Sequence, residues 1–78
     1  MEDEITTATY DRVSHLICEY ARLCGRTTKE VAHALLASKT LKRYGYRHEQ
    51  KGHLTESQGR AAIRVLDFWI RSHIEREV

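Results

Sequence analysis

The apolar positions of this chain recur with helical spacing in three stretches. From Val13, the residues Leu16, Ile17, Tyr20, Ala21 and Cys24 follow at the i, i+3, i+4, i+7 intervals that place side chains on one buried stripe. Thr7 or Thr9 is the expected N-cap of this first helix, with Asp11 near its positive end, and Gly25 supplies the left-handed residue that stops it. Residues 1–8, acidic and then rich in hydroxyls, are expected to form a frayed tail.

Thr27-Thr28-Lys29-Glu30 has the form of a capping box and predicts a second helix whose inner face is Val31, Ala32, Leu35 and Leu36. Leu41 falls off that stripe, which predicts a break near Ser38-Lys39-Thr40 before the segment stops at Gly45. Residues 45–53 have glycines near both ends and no apolar period, the pattern of a long loop. A second capping box, Thr55 with Gln58, then opens the longest helix, with Ala62, Val65, Leu66, Trp69, Ile70 and His73 at core spacing. No stretch alternates with period two between turns, so nothing predicts a sheet.

These elements predict an all-α fold: a small antiparallel three-helix bundle, with an extra short helix near residues 39–44, forming one domain over residues 1–78. The expected core is Val13, Leu16, Ile17, Tyr20, Val31, Leu35, Leu66, Trp69 and Ile70, with Trp69 anchoring its centre. Gly59 shares a face with Ala62 and Leu66, which would let another helix backbone approach closely. Ile63, Leu23 and Ile74 lie at the margins of the stripes, leaving a homodimer open as an alternative to the monomer.

A chain of 78 residues has room for one core, burying about 60–65% of the surface its unfolded form exposes. A cofactor cavity would consume much of that core, so the size favours a binding module over an enzyme, and no cofactor is expected. Charged residues at 31% and hydrophobic ones at 41% fit a globular surface rather than a disordered chain. The net charge of +2 does not by itself establish nucleic-acid binding. With no signal-peptide core and no apolar run long enough to span a bilayer, the expected location is the cytoplasm.

Five histidines raise the question of metal, but His15 with Cys18, and His48 with His53, form neither paired knuckles nor an HExxH motif, so no metal site is expected. Cys18 and Cys24 lie within one helix and point to different sides of it, which disfavours a disulfide and suggests buried or half-buried structural thiols. The glycines are isolated and form no phosphate loop.

The densest charge feature is Lys39, Lys42, Arg43, Arg47 and Lys51, interrupted by Glu49 and interleaved with Tyr44 and Tyr46. Bases for phosphates and aromatics for stacking are the ingredients of single-strand recognition, yet a solvated helix end followed by a loop has the same composition. Arg60, Arg64 and Arg71 recur on the last helix away from the Trp69 stripe; beside the 39–51 bases they would complete a basic rim for an acidic, hydrophobic-ended peptide. The Glu30-Val31-Ala32 opening of the second helix also loosely matches a helix-turn-helix, but Leu36-Ala37-Ser38 stands where its turn needs glycine.

The stretch Leu54-Thr55-Glu-Ser-Gln-Gly-Arg-Ala-Ala62-Ile63-Arg-Val-Leu66-Asp-Phe68-Trp69 resembles the last helix of small C-terminal modules in phage single-strand annealing proteins of the RecT/Red-beta type, and similar modules end some phage antirepressor-like proteins. The resemblance implies a non-catalytic module that binds a protein of DNA recombination or replication, for example the acidic tail of a single-stranded-DNA-binding protein. Direct nucleic-acid binding through residues 39–51 is the alternative. On either reading the candidate binding residues are Lys39, Lys42, Arg43, Tyr44, Tyr46, Arg47, Lys51, Arg60 and Arg64.

Overall fold

The computed structural model describes residues 3–77; Met1 and Glu2, the outer end of the expected frayed tail, lie outside the described residues, as does Val78. Four α-helices are present: α1 (Thr7–Cys24), α2 (Thr28–Leu36), α3 (Lys39–Arg43) and α4 (Glu56–Glu77), with a short 3-10 turn at His48–Gln50 in the loop before α4. The all-α bundle and its short extra helix are those the apolar pattern predicts. No helix among the described residues is long and apolar enough to cross a membrane.

α1 and α2 form an antiparallel pair joined by a tight turn. Gly25 ends α1 at φ 66°, and Thr27 opens α2 with the reciprocal capping box to Glu30. The chain then returns to the start of α1, so α4 runs parallel to α1: Ile5 and Thr9 meet Gly59, Tyr20 stacks on Trp69, and Cys24 faces His73. α4, 22 residues and roughly 33 Å long, sets the long dimension of the 44 × 23 × 19 Å molecule.

The break after α2 falls at Ala37–Ser38. Ser38 caps α3 by accepting from the Leu41 amide, and this restart rotates Leu41 from outside the α2 stripe to complete burial. The centre of the core is therefore Leu35, Leu41 and Leu66, over Ala61 and Ala62 of α4. Of the expected core, Val13, Leu16, Val31, Leu35 and Leu66 are buried, while Ile17, Tyr20, Trp69 and Ile70 pack against it half-exposed. Trp69 does not anchor the centre. Its indole is half-exposed at the edge of the core and pairs with Tyr20 at a centroid distance of 5.5 Å.

The segment expected to fray over residues 1–8 is held from Asp3 onward. Glu4 bridges Thr55 in antiparallel fashion, Ile5 N–H donates to Leu54 O, and Glu56 N–H donates to Asp3 O. Thr6, rather than Thr7 or Thr9, caps α1, because the Thr9 hydroxyl is committed to Glu56 Oε2 at 2.7 Å. Gly59 is likewise used differently from the expected helix-to-helix approach. A Cβ there would lie 2.7 Å from Ile5 Cδ1 and 2.8 Å from Thr9 Cγ2, so the glycine admits side chains of the N-terminal segment and of the first turn of α1.

Glu56 is the acceptor at the centre of this clamp. The Thr6 N–H, the Thr9 hydroxyl and Arg60 bond its carboxylate and hold its pKa down from 4.5 to about 2. The folded value lies below the unfolded one, so this contribution is complete above the unfolded pKa and is lost as pH falls from about 4.5 towards 2.

Two predictions follow from this packing. Leu41→Ala is expected to cost about 2–5 kcal/mol in urea denaturation, and Trp69→Ala no more than that despite removing a larger side chain; a clearly greater loss at Trp69 would return the indole to the centre of the core. Between pH 5 and 2, Glu56→Gln is expected to flatten the fall in melting temperature seen in the wild-type protein. Parallel curves for the two proteins would show that Glu56 contributes nothing to acid sensitivity.

Candidate functional site

The turn after α3 and the loop before α4 are shaped by one buried amide. Gln58, 2% exposed, accepts at Oε1 from Thr55 N–H at 3.1 Å and from Gln50 Nε2 at 2.8 Å, and donates from Nε2 to Tyr44 O at 3.1 Å. Gln50 in turn donates to His53 O and accepts from Arg47 N–H, so both sides of the loop are tied to α4. Lys51 and Gly52 reverse the chain at φ 49° and 87°, and the Tyr46 hydroxyl accepts from Gly52 N–H at 2.8 Å. A non-glycine residue at positive φ is uncommon and persists where its surroundings hold it, here between the 3-10 turn and the tyrosine.

This loop walls a cleft of about 510 Å³ whose other side is α2 and α3. Leu36, Ala37 and the Tyr46 ring give it an apolar floor; Lys42, Lys51, His33 and His48 supply the polar lining, and no carboxylate lines it. A second cleft of about 510 Å³ lies between α1, α2 and the N-terminal segment. Its lining is mainly apolar, from Ile5, Tyr10, Val13, Ile17, Leu35 and Leu54, with Glu4, Ser14 and His53 as polar groups. Leu36 and Gly52 line both clefts, so the two adjoin.

The candidate binding residues divide into groups. Lys42, Tyr46 and Lys51 converge on the first cleft. Tyr44 and Arg64 meet on the α3–α4 side, where Arg64 Nη1 donates to the Tyr44 hydroxyl at 3.2 Å. Arg60 is drawn away from both by its 3.0 Å ion pair with Glu56. Lys39, Arg43 and Arg47 are exposed and line neither cleft. The rim expected to unite the 39–51 bases with Arg60 and Arg64 is thus realised only at the Tyr44–Arg64 contact.

Sequence reasoning missed the placement of four residues, His33, His48, Phe68 and Cys18. The sequence pairs His48 only with His53 and does not single out His33, and the return of the loop places both on the lining of the first cleft. Phe68 is 65% exposed on α4 between Arg64 and Arg71; its place off the Leu66–Trp69–Ile70 stripe was a signal available from the helical period. Cys18 is exposed rather than buried or half-buried, since its position turns it off the α1 stripe. Cys24 is half-buried, with Sγ 3.9 Å from His73 Nδ1. The neighbouring Cys24 thiol and partial burial raise the Tyr20 pKa. Among the described residues no group of three or more His, Cys, Asp or Glu is placed to hold a metal ion.

The helix-turn-helix alternative loses its second helix, because α3 is five residues long and its Leu41 is spent in the core. Comparison with protein-family models, with curated proteins and with solved structures found no match to the chain.

Gln58→Ala is expected to destabilise the fold by about 1–3 kcal/mol, since it strands Thr55 N–H and Tyr44 O in a partly buried setting. It is also expected to raise hydrogen exchange at residues 46–53 more than along α1. Equal changes in the two regions would mean that Gln58 does not hold the loop.

Proposed function

We propose that this protein is a non-catalytic helical interaction module that binds an acidic, hydrophobic-ended peptide of a DNA recombination or replication protein. The observation that carries the reading is the pair of adjoining clefts. One is lined by two lysines and two histidines without a carboxylate, and the other is apolar and reached across Leu36 and Gly52. Carboxylates of the peptide would lie over Lys42 and Lys51, and its apolar end in the cleft of Ile5, Val13, Ile17 and Leu54. An apolar anchor surrounded by charge is the usual anatomy of a peptide site: the anchor provides affinity, and the rim provides orientation and on-rate. The resemblance of residues 54–69 to the C-terminal modules of phage annealing proteins supports a partner of this kind, the acidic tail of a single-stranded-DNA-binding protein being one example. A cytoplasmic setting fits such a partner.

The test is an anisotropy titration of a labelled peptide, a run of aspartates ending in phenylalanine, against the full chain. Saturable binding is expected, weakened about ten-fold by Lys42→Glu combined with Lys51→Glu, a loss of about 1.4 kcal/mol. Absence of saturable binding, or affinity untouched by the double charge reversal, would reject the reading.

A further inference from the structure

The outer face of α4 carries a second surface that the two clefts do not use. Successive helical residues turn by about 100°, so Arg60, Arg64, Phe68, Arg71 and Glu75 share one side of α4. Phe68 is the most exposed large hydrophobic residue among those described, at 65%, although its neighbours Leu66, Trp69 and Ile70 all serve the core. A lone exposed phenylalanine needs no explanation. Here, however, it stands between two exposed arginines, Arg64 and Arg71, and a second ring, Tyr44 at 40% exposure, is fixed beside Arg64 by a hydrogen bond. Asp67 is half-buried at the edge of this stripe, and the exposed carboxylate Glu75 lies a turn beyond Arg71.

We infer that this stripe is a binding surface for single-stranded nucleic acid, with bases stacked on Phe68 and Tyr44 and phosphates paired with Arg64 and Arg71. Along α4 the rise is about 6 Å from Arg64 to Phe68 and about 4.5 Å from Phe68 to Arg71. A base on the phenyl ring is therefore flanked by guanidinium groups on the scale at which an extended strand alternates bases with phosphates. Rings recognise base faces without regard to sequence, and arginines add charge and cation–π attraction. A duplex hides those faces in its own stack, so the surface selects single strands. An acidic peptide with one aromatic end would satisfy the arginines but supply a ring for only one of the two aromatic side chains, whereas a single strand offers a base to each. Neither Phe68 nor Arg71 lines either cleft, so this inference stands or falls separately from the peptide reading.

The experiment is an anisotropy titration of labelled oligothymidylate at low salt with the full chain. Phe68→Ala and Phe68→Leu are each expected to weaken binding about ten-fold, while Phe68→Tyr keeps it within about two-fold, because stacking needs a π face rather than apolar bulk. Arg64→Gln and Arg71→Gln should each lower the slope of log affinity against log salt by about 0.7. Unlabelled duplex of the same length should compete poorly. The proposal is overturned if the wild-type protein shows no saturable oligonucleotide binding, or if Phe68→Leu binds as wild type. It is also overturned if Phe68→Ala changes only the sedimentation mass, which would make the stripe a contact between copies, or only the affinity for the acidic peptide.

Discussion

The architecture around the clefts depends on a single buried amide. Gln58 sits at the start of α4, where a helix leaves backbone N–H groups without partners, and its carbonyl takes up one of these orphan-region donors at Thr55. The same side chain reaches the carbonyl that ends α3 and the side chain of Gln50. A capping residue is usually exposed and local in effect. This one is buried, and an unpaired amide in that setting would cost more than the bonds it makes. All its polar atoms find partners, and no buried side-chain polar atom among the described residues lacks one. The loop that walls both clefts is consequently part of the fold rather than an appendage to it.

A second clamp stands in the same turn of α4. Glu56 binds the Thr6 amide, the Thr9 hydroxyl and Arg60, and Ile5 fills the space left by the missing side chain of Gly59. These contacts draw the chain's first described residues along the start of α4 and make them one wall of the apolar cleft. Residues 56–59 thus serve three purposes within one helical turn: they start α4, hold the loop and hold the N-terminal segment. In a small bundle with little core to spare, that economy lets two concave surfaces exist without a large cavity in the interior.

The two proposed surfaces divide along chemical lines. Two lysines, compact and strongly hydrated donors, and two histidines line the concave site. Arginines, planar and able to stack, lie on the convex helix with the exposed aromatics. Both the peptide site and the single-strand surface proposed above follow from this separation. A chain that held a protein tail on one side and a single strand on the other would join two components found together wherever DNA strands are exposed.

Much of this was legible without coordinates. The stripe beginning at Val13, the Gly25 stop, the two capping boxes and the break before Leu41 are local signals, set by side-chain period and by backbone groups within four residues of one another. Such signals determine where helices begin, where they end and which face is apolar. They carry no information about contacts between residues far apart in the chain. The burial of Leu41 rather than Trp69, the capture of residues 3–6 by α4 and the placing of His33 and His48 on one cleft all join distant segments. Each depends on how the helices pack together and on the return of the loop that Gln58 ties to α4, neither of which is encoded within four residues of chain.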